Sequence, residues 1–311
     1  MHKKIKIYLH IGFPKTASTF FQKNIFSKHK QINYYGRCFG KKEKKLEYII
    51  NNIISMNDKE FRYSYNKFIN LVNNIKFSKK KINLISEEGL LCQQVWKNND
   101  IYLTASRLLL IFNQRNFDLN IFFFIRNQKK ILISFYKEYY FGYFFHHCNN
   151  FKNFVKNRNK IEFKEIWDSF KYFKLLKFLL KNYKKTKIKI FSYEDFDSNP
   201  KKFIKLFFQY FKINYNINVN FQNKINTLDQ KKYYLKFHLL IKKNLNIKEL
   251  IKIPSKILYT LKFIINYTKF IYCIKKMKKL NTDKDDNLII EKFYKRDNFL
   301  LYKYTKINII K

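Results

Sequence analysis

The chain has 311 residues, 46% of them apolar, which is enough to bury a sizeable core and excludes a disordered, solvating polymer. Lys and Arg number 65 against 22 acidic residues, a formal charge of +43 that favours anionic partners such as nucleotides, nucleic acid or a membrane surface. Much of that excess goes with a general bias toward Lys, Asn, Ile, Phe and Tyr, with only five Gly and three Pro, the pattern an AT-rich coding sequence produces.

The first apolar run, Lys6 to His10, reads as a buried strand and is too short for a signal-peptide core. It leads into Gly12-Phe13-Pro14-Lys15-Thr16-Ala17-Ser18-Thr19, followed by a helical pattern from about Thr16 to Lys28. Free backbone amides at a helix start bind phosphate oxygens, Lys15 adds a full charge, and Thr16, Ser18 and Thr19 add hydroxyl donors. Gly12 and Pro14 are two residues apart in a chain poor in both, which argues for a specific backbone need. A plain strand-to-helix turn capped by Thr16 or Ser18 is the competing reading. A second Gly and a Gly-Lys pair are missing, so this is not a Walker A loop.

A short strand is expected at Ile32 to Tyr35 and a buried one at Ile82 to Ser86, the latter ending in Glu87-Glu88-Gly89-Leu90. Carboxylates at a strand's carboxyl end face the ligand crevice of an open α/β sheet. The next strand, Asn120 to Ile125, ends in Arg126, and the helix after it carries Ile131, Ser134, Phe135 and Glu138. Only seven of the basic residues are Arg, so an Arg here stands out from the Lys background. A single helix is predicted over Ile166 to Tyr183, then a strand over Lys187 to Ser192, then Tyr193-Glu194-Asp195-Phe196 and a helix opened by Asn199-Pro200. Glu194 and Asp195 read as helix-start or ion-pair residues. Asn223 to Lys284, rich in Lys and Asn, reads as a helical insertion or a peripheral helical layer, and Ile257 to Ile274 within it as an amphipathic helix. A last helix covers Asn287 to Tyr302. Strands alternating with helices predict an α/β fold, a central parallel sheet of about five strands with helices on both faces, within a single domain over 1–311.

The loop resembles the 5′-phosphosulfate loop of sulfotransferases that use 3′-phosphoadenosine-5′-phosphosulfate (PAPS), commonly H-I-G-x-x-K-T-G-T-T or P-K-S-G-T-T-W. The resemblance implies a P-loop-like sulfotransferase fold, with Lys15 on the phosphosulfate and its bridging oxygen, Gly12, Thr16, Ala17, Ser18 and Thr19 in the cradle, and Phe20 stacking on adenine. Ala17 stands where the family usually has Gly, and a small residue with negative φ there still allows close backbone approach. Arg126 and Ser134, eight residues apart, are similar to the family's 3′-phosphate motif, and Tyr193 would sit near the adenine. Glu88 matches the S-x-E-x-L pattern of bacterial members and is the expected base, with Glu87 as the alternative. The resemblance touches most of the chain but not Asn223 to Lys284.

The same resemblance implies sulfuryl transfer from PAPS, releasing 3′-phosphoadenosine-5′-phosphate (PAP), to a hydroxyl or amine on a carbohydrate or glycolipid; the scattered cysteines and the lack of an anchor pattern point to a cytoplasmic, bacterial enzyme, and the basic or amphipathic surface to peripheral membrane contact. No metal is implied: His146-His147 have no partner pattern, and Cys38, Cys92, Cys148 and Cys273 are widely spaced without a CxxC pair. Two other readings compete. A nucleotide kinase or NTPase needs a true P-loop and a magnesium-holding acid. A basic nucleic-acid or membrane-surface binder needs clustered charge with a reading motif, whereas here Lys is spread along the chain and no specific nucleic-acid motif occurs.

Overall fold

The computed structural model describes residues 4–36, 40, 43–91, 100–144, 147–148, 150–183, 187–214, 280 and 282–309. Five strands, β1 (Ile5–His10), β2 (Ile32–Gly36), β3 (Ile82–Ser86), β4 (Phe117–Ile125) and β5 (Lys187–Ser192), form one sheet in the order β2-β3-β1-β4-β5. All neighbours run parallel. The central strands are continuous apolar runs because both faces are covered, as parallel sheets require. Ile7, Leu9, Ile121 and Phe123 enter the core of one face, while Tyr8, Phe122 and Phe124 enter the other. β4 begins at Phe117 rather than Asn120. Phe117 and Leu119 pair with Ile5 and Ile7, and the intervening Asp118 hid that extension in the sequence.

The helices in chain order are α1 (Ser18–Phe21, continued by a π-helical stretch Gln22–Phe26), α2 (Lys44–Ser55), α3 (Asp58–Asn73), α4 (Ile101–Phe112), α5 (Gln128–Tyr139), α6 (Phe151–Lys156), α7 (Ile161–Ser169), α8 (Tyr172–Asn182), α9 (Tyr193–Ser198), α10 (Pro200–Phe211) and α11 (Lys284–Thr305). α1 and α10 cover one face with Phe20, Phe21, Phe203, Phe207 and Phe211. α2 to α5, α7, α8 and α11 supply the core of the other. Pro200 occupies the first turn of α10, capped by Asn199.

The predicted helix Ile166 to Tyr183 is two helices, broken at Phe170–Lys171. The break is imposed from α11, whose Asp297 carboxylate accepts the backbone N–H groups of Phe173 and Lys174, both at 3.0 Å. This caps α8 with a residue more than a hundred positions away, which local periodicity cannot reveal. α11 itself starts at Lys284, where Asp283 caps it through the Asp286 N–H.

β1 and β4 are adjacent, yet the segment after β1 packs on one face and the segment after β4 on the other. Such a reversal opens a crevice at the strands' carboxyl ends, where open α/β sheets bind ligands. The expected helical layer over Asn223 to Lys284 and the amphipathic stretch Ile257 to Ile274 lie outside the described residues, apart from 280 and 282–284, as do Cys38, Cys92, Cys273 and His146. Cys148 is buried and free. No described helix is long and apolar enough to cross a membrane.

Phe122, wholly buried, sits at the centre of one aromatic layer, 5.1 Å from His10 and 5.3 Å from Phe211 between ring centroids. Phe122→Ala is expected to destabilise the protein by about 3–5 kcal/mol in urea unfolding. An unchanged midpoint would contradict this packing.

Candidate active site

The loop after β1 is pinned before it turns. Phe13 donates its backbone N–H to the Phe124 carbonyl (3.1 Å), and Phe124 donates to the Gly12 carbonyl (3.0 Å), so pairing with β4 runs past the strand's end. The Phe13 ring is wholly buried against Phe170 and Tyr172, 5.8 and 5.0 Å away. Gly12 has φ +142°, a backbone conformation that strains any residue with a side chain, and a Cβ there would lie in a tight 3.3 Å contact with the Glu88 carbonyl oxygen. Beyond Phe13 the chain reverses through left-handed backbone at Lys15 (φ 65°) and Ala17 (φ 67°). Ala17 therefore does not meet the condition of negative φ under which a small residue would replace glycine here without strain. The turn onto α1 requires a left-handed residue at this position, and the chain meets that need without glycine at a cost of about 1–2 kcal/mol. The Thr16 and Ser18 hydroxyls are buried and both donate to the Phe13 carbonyl, Ser18 at 3.2 Å, which holds the turn closed. Thr19 is half-buried. Phe20 packs against Phe21 and Phe196 and is 7% exposed.

Arg126, one residue past β4, reaches this loop. Its Nη1 donates to the Lys15 carbonyl at 2.9 Å, and its guanidinium carbon lies 4.4 Å from the centre of the Tyr193 ring. Its Nε–H is buried with no hydrogen-bond partner. The Tyr172 hydroxyl donates to the Arg126 carbonyl (2.8 Å), so one of the two rings that anchor Phe13 also holds the end of β4. Tyr193 opens α9, which Ser192 caps through the Glu194 N–H. Glu194 accepts the Asn127 N–H at 2.9 Å and ties α9 to α5. Ser134 lies half-buried in the second turn of α5.

The carboxylates come from two further elements. Glu87 is buried at the end of β3, donates its N–H to the His10 carbonyl (3.1 Å) and accepts the Gly89 N–H (3.1 Å). Glu88 begins a 3₁₀ turn, Glu88–Leu91. Burial pushes the Glu88 carboxyl above the usual range. The Ser18 hydroxyl and Lys15 oppose that rise, and the negative charges of Glu87 and Glu138 add to it. Lys15 Nζ lies 3.5 Å from Glu138 Oε2, in an ion pair whose side chains are only 22% and 20% exposed. Sequence reasoning put Glu138 on α5 but gave it no role. The available signal was its spacing, four residues beyond Ser134 on one helical face.

His10 is a buried, neutral ring that packs inside the strand. Burial holds its pKa down to about 3, it stacks on Phe122, and its Nδ1 lies 2.7 Å from a Ser86 hydroxyl that also accepts from Gln22. His147 is exposed beside Tyr143. The structure thus brings together Gly12, Lys15, Thr16, Ala17, Ser18, Glu87, Glu88, Arg126 and Tyr193, and adds Glu138. A cavity of about 200 Å³, lined by Tyr35, Glu43, Asn51, Ser86 and Glu87, opens beside Glu87. A larger one of about 910 Å³ flanks β5, α10 and the end of α11 and contains none of these candidate residues, so volume alone does not mark the site.

No protein-family model matches the chain, and no curated protein matches it. Among solved structures, a sulfotransferase from Alicyclobacillus acidocaldarius is similar over 76% of this chain and 92% of its own, with 12% identity and a TM-score of 0.44. A likeness that distant carries no functional argument, and the chemistry of the site has to supply one.

Because Ala17 is left-handed, Ala17→Gly should be tolerated, raising stability by up to about 1 kcal/mol after the extra freedom of glycine in the unfolded chain is offset. Urea unfolding of the two proteins checks this, and a clear loss of stability would contradict the left-handed backbone.

Proposed function

We propose that the chain is a PAPS-dependent sulfotransferase. The observation that carries the reading is the joining of Lys15 and Arg126, two cationic side chains on separate strand ends, through the Arg126–Lys15 carbonyl bond beside the Tyr193 ring. A nucleotide phosphorylated at both ends needs two anion anchors with an aromatic surface between or beside them. The residues present fit that need: Arg126 keeps a buried Nε–H without a partner, and Gly12 leaves the loop backbone free of a Cβ. Arg suits a planar phosphate contact, and Lys supplies a compact charge for a leaving oxygen.

Bound PAPS supplies a sulfuryl group attached to a phosphate leaving oxygen. Lys15 stabilises the charge that develops on that oxygen, and the rigid loop around it avoids reorganisation during the reaction. Glu88 accepts the proton of the acceptor hydroxyl or amine. Its raised pKa makes it a stronger base than an ordinary carboxylate. Glu87, whose carboxylate is engaged by the Gly89 N–H, holds the turn that presents Glu88. Arg126 and Ser134 are assigned to the 3′-phosphate, and Tyr193 with Phe20 to the adenine side. The acceptor, a carbohydrate or glycolipid, is assigned from the family resemblance.

Calorimetry should show PAP binding without magnesium, weakened at least about tenfold by Lys15→Ala and by Arg126→Ala, the scale of a lost charge-assisted contact. No binding by the parent at millimolar PAP would overturn the reading. Glu88→Gln should keep PAP affinity within about twofold while lowering the transfer rate by about 10²–10⁴ with labelled PAPS and a glycan acceptor panel. Full activity in that variant would remove the base role from Glu88.

A further inference from the structure

Lys15 is not waiting with an open charge. Its ammonium is engaged by Glu138, which reaches it from the last turn of α5, and the two side chains are about four-fifths buried. Pairs screened from water in this way interact more strongly than surface pairs. Glu88, at the start of the turn after β3, interacts with the same lysine, and Glu87 lies beside Glu88. Two carboxylates, Glu88 and Glu138, therefore interact with Lys15, and Glu87 adds its charge beside Glu88. A phosphosulfate group that engages the Lys15 ammonium has to displace the Glu138 carboxylate from it. The backbone of Lys15 is held by the Arg126 bond and by its left-handed conformation, so the exchange of partners is left to the side chain.

We infer that Glu138 is a counter-ion that competes with the donor nucleotide for Lys15: it occupies the lysine in the empty site, weakens nucleotide affinity, and recovers the lysine as the product departs. Glu138 is thus a positioning residue that acts through Lys15, and this role rests on the nucleotide-binding reading above. Its chemical consequence is specific. Removing the charge of Glu138 should strengthen nucleotide binding, whereas loss of a merely structural residue would weaken it or leave it unchanged. The effect should also vanish when the lysine charge is absent.

The test is PAP titration of the parent, Glu138→Gln, Glu138→Ala, Lys15→Met and the Lys15→Met/Glu138→Gln double variant, at one low ionic strength. Both Glu138 variants should bind PAP roughly five- to tenfold tighter than the parent, the scale of one part-buried charge pair. The double variant should bind like Lys15→Met alone, since the coupling requires both partners. Binding no tighter than the parent in both Glu138 variants overturns the role of Glu138, as does a gain that persists without Lys15. If the parent itself fails to bind PAP, the nucleotide site falls and this inference with it. A parent that binds while Glu138→Gln and Glu138→Ala show no gain refutes only the competition.

Discussion

The hydrogen bond from Arg126 to the Lys15 carbonyl is the contact on which the site depends. It joins the ends of β1 and β4, the two strands where the direction of packing reverses. Without it, the loop and the residue after β4 would be two separate basic features on a strongly basic surface. With it, the left-handed backbone of Lys15 is tied to β4, and Arg126 is kept against Tyr193. The anchoring extends inward through aromatic packing. Tyr172 contacts the Phe13 ring and donates to the Arg126 carbonyl, so one buried tyrosine steadies both cations. Such support matters because a ligand site is only as well defined as the residues behind it.

Charge at the site is far more balanced than the net charge of the chain suggests. Glu88 and Glu138 come from the small acidic complement, yet both interact with Lys15, and Glu87 stands beside Glu88. Burial raises Glu88, and neighbouring carboxylates raise it further, so proton affinity is built from the same groups that surround the lysine. The general excess of lysine supplies a long-range positive field, while these few carboxylates set the local charge beside Lys15. The two effects differ in range: the field is screened over about a Debye length, and the buried contacts are screened much less.

The loop also shows how a chain poor in glycine meets a backbone demand. Gly12 is retained where φ disfavours a side chain and the Glu88 carbonyl leaves little room for one, whereas Ala17 accepts a left-handed conformation. At the first position the φ of +142° lies where residues with side chains are strained, and a Cβ would also crowd the Glu88 carbonyl. The second can be occupied by alanine at a modest energetic cost, offset by the buried Thr16 and Ser18 hydroxyls that close the turn.

By itself the sequence determined the parallel sheet, since the apolar runs at β1, β3, β4 and β5 are short-range patterns visible in any window. It also determined the loop with Lys15 and the placement of Arg126 at a strand end, because residue type and position along an element are local properties. Only the tertiary structure decided that α7 and α8 are separate, through Asp297, and that Ala17 is left-handed. Only it joined Arg126 to the Lys15 carbonyl and Lys15 to Glu138, pairs separated by 111 and 123 positions. The physical reason is range. Periodicity and turn chemistry act within a few residues, while ion pairing, capping from a distant helix and desolvation depend on which segments the closed core brings within a few ångströms, and no single stretch of sequence carries that distance.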